Sequence, residues 1–191
     1  MSSQSDKQKL RDALREQRKQ LTPSCREEAA LALAQQLAQL IPSYQKIAYY
    51  WPLQNEMDPR PLMQTLKGPH YLPVIASDSL QLKFYPYEPG DPLQPNRFGI
   101  LEPTISRKTP ITPEELDIVL VPLLGFDLKG SRLGMGGGYY DYNFSFLKNN
   151  LQPKPLLIGL GFEFQKLADI PEDPWDIHLH WVATESRVYQ F

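Results

Sequence analysis

Twelve residues from Gly130 to Asp141, Gly-Ser-Arg-Leu-Gly-Met-Gly-Gly-Gly-Tyr-Tyr-Asp, combine the residue types that phosphate chemistry needs. Glycines let backbone N–H groups come close to an anion, and a helix starting directly after them adds a favourable dipole. Arg132 offers a charged fork, and Asp141 a hard oxygen ligand for a magnesium ion. The run Ile118-Val119-Leu120-Val121-Pro122-Leu123-Leu124 before this segment predicts a buried strand. After it, Tyr140, Phe144 and Leu147 fall at helical spacing between Tyr139 and Asn150. The segment therefore reads as a nucleotide-phosphate site on a strand–turn–helix.

Neither common fingerprint fits it. A P-loop ends in Gly-Lys-Ser/Thr, and no lysine follows these glycines. A dinucleotide turn needs its third glycine where Tyr139 stands. Local chemistry alone leaves a second possibility open: a tight turn that needs glycine only for its backbone angles.

Other residues carry chemistry of their own. Lys7 and Arg11 lie four apart, so on a helix they share a face. That face can clamp phosphate oxygens, with the guanidinium bidentate and the ammonium a point charge, while Lys9 points elsewhere. Such a pair taken alone is more often a solvated helical surface. Glu56 and Trp51 lie at the end of a predicted strand, where open α/β sheets bind ligands. Taken alone they are a solvated loop carboxylate and a core aromatic. Asp141 and Asp176 read equally well as a first-turn helix residue and a turn residue after Pro174. His178 and His180 are two apart, and no cysteine or carboxylate cluster completes a transition-metal set with them. His70 reads as structural.

The elements that must position these groups form a helical front and an alternating body. Ser5 with Gln8 resembles a capping box opening a helix towards Gln20, and Thr22-Pro23 opens a second. Leu31, Ala34, Leu37 and Ala38 form the apolar stripe of that second helix, which ends before Pro42. Strands are expected at Ile47–Trp51, Tyr71–Ile75, Leu156–Leu160 and Trp181–Thr184, with a half-exposed one carrying Leu80, Leu82 and Phe84. A short helix capped by Asp58 covers Pro59–Leu66, and the proline-rich stretch from Pro86 to Pro113 reads as an ordered wrapping loop. Strands separated by helices imply an α/β fold: a mostly parallel sheet with helices on both faces, a Rossmann-like three-layer arrangement.

Composition sets the outer limits. The 191 residues fit one domain over 1–191, with the helical segment 5–40 packed on the α/β body. A net charge of -2 provides no global field to recruit nucleic acid or an anionic membrane. No uninterrupted apolar window is long enough for a spanning helix, and Met1 to Arg18 lacks the apolar core of a signal peptide. The single cysteine, Cys25, cannot form an internal disulfide, which suits a cytoplasmic location and a bland packing or surface role for that residue.

Several separated pieces, taken in order, resemble the 5-formyltetrahydrofolate cyclo-ligase (methenyltetrahydrofolate synthetase) family. They are Lys7-Gln8-Lys9-Leu10-Arg11, Trp51-Pro52-Leu53-Gln54-Asn55-Glu56, Phe98-Gly99-Ile100-Leu101-Glu102-Pro103 and Arg132 to Asp141. Gly161-Phe162 with Gln165, Pro174-Trp175-Asp176 and Val182-Ala183-Thr184-Glu185 complete the series. The resemblance implies ATP contacts at Lys7, Arg11, Arg132, Leu133, Gly134, Met135, Gly136, Gly137, Gly138, Tyr139 and Tyr140. It implies folate contacts at Trp51, Glu56, Met135 and Tyr139, catalytic roles for Arg132 and Tyr139, and magnesium ligands at Asp141 and Asp176. Many relatives place arginine where Tyr142 stands, and some place basic side chains where Met135 and Gly137 stand. Arg132, the loop amides and magnesium then carry more of the triphosphate charge.

The implied reaction is ATP-dependent cyclisation of 5-formyltetrahydrofolate to 5,10-methenyltetrahydrofolate, with ADP and phosphate released by a monomeric enzyme. The formyl oxygen attacks the terminal phosphate of ATP, the anilino nitrogen closes the ring, and phosphate leaves. Such phosphoryl transfer needs alignment and charge neutralisation more than a protein nucleophile. Two other classes stand beside it: a sugar-phosphate isomerase or acyl-transfer enzyme of similar architecture, and a non-catalytic nucleotide or folate binder.

Overall fold

The computed structural model describes residues 3–53, 55–105, 108–149 and 154–191. α1 (Ser3–Lys19) starts ahead of the expected cap, so Ser5 lies inside the helix and Gln8 bonds Asp12 instead. α2 (Pro23–Leu40) begins as its sequence dictates, with Thr22 Oγ1 accepting the Cys25 N–H and Pro23 in the first turn. Its buried side carries Leu33 and Leu37 with three alanines, Ala29, Ala30 and Ala34. Leu31 is 49 % exposed, because two positions from Leu33 is more than half a turn of helix.

The body follows in chain order: β1 (Ile47–Ala48), α3 (Arg60–Thr65), β2 (His70–Ile75) and β3 (Leu82–Pro86). The proline-rich excursion is ordered and contains a small hairpin, β4 (Leu93–Pro95) with β5 (Leu101–Pro103). Then come β6 (Ile118–Pro122), a second hairpin of β7 (Gly125–Phe126) and β8 (Arg132–Leu133), and α4 (Tyr139–Asn143). β9 (Leu156–Leu160), β10 (Trp181–Ala183) and β11 (Val188–Gln190) close the chain. The main sheet has seven strands in the order β11-β10-β9-β6-β1-β2-β3. Its interior pairings are parallel, while β3 and β11 run antiparallel at the edges.

Both faces of the sheet are covered. Leu33 and Leu37 of α2, with Leu62 and Met63 of α3, pack on Ile47, Tyr49, Leu72, Leu120 and Ile158. The other face, including Ala48, Val119, Val121 and Val182, meets Phe126, Phe144 and Leu179. Helical cover is thin there, limited to α4 and a 3-10 turn at Ser145–Asn149. α1 sits apart, with Leu14 packed on Leu124, Leu133 and Ile170, so it leans on the β7–β8 hairpin.

Several sequence expectations change in detail. β1 is two residues long, because the chain leaves the sheet before Trp51 and Pro52. Leu80 lies outside β3, where its carbonyl accepts from Asn143 Nδ2 while Asn143 Oδ1 accepts the Leu82 N–H. Asp58 serves α3 by accepting the Arg60 N–H, although Pro59 holds the cap position. The helix expected from Tyr139 to Asn150 stops at Asn143 and continues only as the 3-10 turn; Asn150 itself is outside the described residues. Gln54 lies outside them too.

Candidate active site

The carboxyl ends of β6, β1 and β2 open into a cleft of about 1340 Å³, roofed by α1, the glycine loop and the Asp173–Asp176 turn. The glycine loop does not leave β6 directly. The β7–β8 hairpin intervenes, and Arg132 and Leu133 are its second strand. Leu133 is buried in the core beside Leu14, so its side chain is committed to packing. Gly136 and Gly138 have φ of +103° and +70°, angles that a side chain strains. The backbone thus requires glycine at these two positions, and the loop also lines the cleft. α4 spans only five residues, so little of the expected helix dipole stands behind the loop.

Every residue expected in the site borders this cleft. Lys7 and Arg11 do share one face of α1, but neither waits uncommitted. Lys7 Nζ lies 2.7 Å from Asp173 Oδ2 and 2.6 Å from Asp176 Oδ2. Burial acts to lower its pKa, and the two carboxylates overcome that effect and leave it above the ordinary lysine value. Arg11 Nε donates to the Gly134 carbonyl at 2.9 Å, so the helix grips the loop through its backbone. Arg132 Nη2 meets Asp141 Oδ1 at 2.5 Å, and that oxygen also accepts the Ile177 N–H. Asp176 Oδ2 likewise accepts the Asp173 N–H.

Glu56 and Trp51 stand just beyond β1. Glu56 is 8 % exposed, and its Oε2 accepts the Leu53 N–H at 2.9 Å. Burial pushes its carboxyl pKa up, against the opposing Leu53 bond and the charge of Arg18. Trp51 lies edge-on to Tyr87 at 6.0 Å with the Arg60 guanidinium 5.3 Å over its ring. Tyr139 faces Phe98 at 6.3 Å, its hydroxyl 3.4 Å from Arg97 Nη2. Tyr140 stacks on Phe144, and burial drives its phenol well above the usual range, so it stays protonated. Met135 is 37 % exposed at the loop tip.

Three contributors were not singled out from the sequence. Asp173 pairs with Lys7; its position three residues before Asp176 was the available signal. Arg18 lies 6 % exposed under the cleft, and its Nε finds no hydrogen-bond partner among the described residues. Its place two turns beyond Arg11 on the same helix face is the only clue, since surface arginines on helices look the same in sequence. Phe98, whose type alone assigns it no role, lines the cleft while half exposed. Among the histidines, His180 Nδ1 accepts the Leu157 N–H and His178 meets Glu172, so the pair is held apart by separate structural partners.

Comparison with known proteins places this geometry. The family model "5-formyltetrahydrofolate cyclo-ligase family" matches residues 3–185. The 5-formyltetrahydrofolate cyclo-ligase of Haemophilus influenzae is 34 % identical over 180 residues, covering 91 % of this chain and 94 % of that one. The enzyme of the same name from Escherichia coli K12 is 33 % identical over 188 residues, covering 93 % and 100 %. A solved 5,10-methenyltetrahydrofolate synthetase from Mycoplasma pneumoniae superposes with a TM-score of 0.73 at 25 % identity, covering 94 % of this chain and 99 % of its own. That from Aquifex aeolicus gives 0.74 at 30 %, covering 96 % and 92 %.

Proposed function

The chain belongs to the 5-formyltetrahydrofolate cyclo-ligase family, and we propose that the cleft carries out ATP-dependent closure of 5-formyltetrahydrofolate to 5,10-methenyltetrahydrofolate. The observation that supports this most is the size and mixed lining of the cleft. At about 1340 Å³ it exceeds the roughly 300–1,000 Å³ of a single-ligand pocket. Its lining combines cations, carboxylates and glycine backbone with Trp51, Glu56, Tyr139 and apolar side chains.

In this reading the loop Gly134–Gly138 and its flanking residues Leu133, Met135, Tyr139 and Tyr140 hold the nucleotide, with Lys7, Arg11 and Arg132 facing its phosphates. Trp51 walls the pterin, and Glu56 accepts its ring N–H groups in charge-assisted bonds. Met135 and Tyr139 border the reacting centre. Arg132, fixed by Asp141 and the Tyr140 ring 5.8 Å away, is preorganised to meet charge growing on the transferred phosphoryl group. The formyl oxygen bonds to the terminal phosphorus as the bond to ADP breaks. The anilino nitrogen then bonds to the formyl carbon, loses its proton, and phosphate departs from that carbon. The protein aligns the two substrates and excludes water; no side chain is consumed.

Asp141 and Asp176 suit magnesium, which prefers hard oxygens and commonly takes one or two carboxylates beside phosphate oxygens and waters. Among the described residues no group of three or more His, Cys, Asp or Glu is placed to hold a metal ion. When bound, magnesium neutralises phosphate charge. We further read residues 1–191 as one domain, acting as a monomer in the cytoplasm. Among the described residues no helix is long and apolar enough to cross a membrane, and Cys25 is a free, exposed thiol. The test is formation of the absorbing methenyl product with ATP and magnesium against an ATP-free control. Equal product in both would end the proposal.

A further inference from the structure

The far side of the cleft, towards β2 and β3, is walled by Pro73, Ile75, Leu80, Leu82 and Phe98. A flat aromatic ring suits such a wall, and in a folate the aminobenzoyl ring joins the reacting nitrogen to a glutamate whose carboxylates must end somewhere. Arg97 stands where that wall reaches solvent. Its Nη1 donates to the Ser77 carbonyl at 2.7 Å, its Nη2 lies 3.4 Å from the Tyr139 hydroxyl, and its guanidinium sits 4.9 Å over the Phe98 ring. Among the described residues these are its polar contacts, with no carboxylate beside it. Lys7, Arg60 and Arg132, by contrast, are each matched to an aspartate.

The loop that carries Arg97 is itself held firmly. Asn96 Oδ1 accepts the N–H groups of Phe98 and Ile100. Glu102 Oε1 receives both Asn96 Nδ2 and the Ile75 N–H, tying the hairpin tip to β2. A guanidinium has five N–H donors, so the contacts above leave several directed outward in a fixed plane. A planar fork held in place costs little ordering on binding and matches a carboxylate bidentately.

We propose that Arg97 is a specificity-determining residue that binds the glutamate carboxylates of the folate substrate. The assignment rests on the cyclo-ligase reading of the cleft. Tyr139, at the reacting centre, and Phe98, at the wall, lead directly to it, so one short path runs from the ring-closing nitrogen to the guanidinium.

The experiment compares wild type and Arg97→Gln on 5-formyltetrahydrofolate, on its triglutamate, and on 5-formyltetrahydropteroate, which lacks glutamate. The variant should raise KM about tenfold for both glutamate-bearing substrates, keep kcat, and leave the truncated substrate unchanged. The wild-type preference for glutamate should also shrink with added salt, as an exposed ion pair requires. Equal losses on all three substrates, or no loss on any, would overturn the assignment while wild-type turnover left the cyclo-ligase reading intact. Failure of wild type to form methenyl product from any of them would overturn both.

Discussion

Lys7, near the start of α1, and Asp176, in the turn before β10, meet at 2.6 Å, and Arg132 meets Asp141 at 2.5 Å. Each carboxylate assigned to magnesium is thus matched by a cation assigned to phosphate. On the proposed assignment, Mg·ATP binding exchanges partners: metal for ammonium at Asp176, which Lys7 shares with Asp173, and phosphate for carboxylate at Arg132. Free metal must displace Lys7 with nothing to receive it. Lys7→Met should therefore raise the affinity for Mn²⁺ alone about tenfold, or about 1.4 kcal/mol, while weakening use of Mg·ATP. Titration of Mn²⁺ without nucleotide, followed by its electron spin resonance, decides this. Unchanged binding would mean that Lys7 does not shield the metal position.

Asp141→Asn should weaken Mg·ATP use and also cost stability. The substitution strands the Arg132 guanidinium, whose side chain is 7 % exposed. Breaking a fully buried pair costs about 3–5 kcal/mol. Here Asp141 keeps 19 % exposure and asparagine can still accept the Ile177 N–H, so about 1–2 kcal/mol is expected. For a chain of this size that is roughly a 3–6 °C fall in Tm. Asp176→Asn should act in the same direction on Mg·ATP. Normal turnover of Asp141→Asn at limiting magnesium would remove it from the metal site.

Much of this site was legible in the sequence, because residue identity fixes it. Thr22-Pro23 starts a helix wherever it can, and the uninterrupted apolar run at Ile118 forms the central strand. The loop glycines and the Lys7–Arg11 spacing marked residues that line the cleft. What escaped depends on long-range register. The β7–β8 hairpin hides between a strand and a glycine turn because its strands are only two residues each. The pairing of Lys7 with Asp173 spans 166 residues, and no local pattern announces it. Arg18 looks like any helical surface arginine until the fold buries it.

Glu56 carries a stability cost that the proposed folate contact would explain. Burial raises its pKa, so the folded protein favours the protonated acid. Its favourable contribution is complete below the ordinary carboxyl value and is lost as pH rises through the raised one. At neutral pH the ionised carboxylate is therefore a cost, and Glu56→Gln should raise Tm there, with the gain vanishing in acid. Folate affinity should fall about tenfold, since a charge-assisted bond contributes roughly 1.5–3 kcal/mol against about 1 for a neutral one. Thermal melts across pH, with separate folate and ATP titrations, check both. Loss of ATP affinity with folate affinity intact would place Glu56 on the wrong side of the cleft.

Arg18 should govern the same titration from beneath. Its charge favours ionised Glu56, so Arg18→Met should raise the Glu56 pKa further. The acid limb of folate binding would then move to higher pH, with affinity at high pH much less affected. A purely structural arginine would lower Tm and leave the pH profile in place.

Gly136 separates the two reasons for a glycine loop. At φ +103° an alanine is strained by roughly 1–2 kcal/mol. Its Cβ would meet the Arg11 guanidinium no closer than an ordinary 3.7 Å, so the strain lies in the backbone and not in a clash. If the loop merely turns the chain, Gly136→Ala lowers Tm and leaves both KM values alone well below the transition. If its amides cradle phosphate, relief of that strain turns them away from the anion. KM for ATP then rises several-fold while KM for the folate holds. Gly138→Ala, at φ +70° with nothing within 4 Å of the added carbon, should repeat the pattern without disturbing Arg11. Kinetics for both substrates at a temperature where each variant is folded decide between shape and cradle. Parallel rises in the two KM values would point to a general loosening of the cleft and against a phosphate role for the loop.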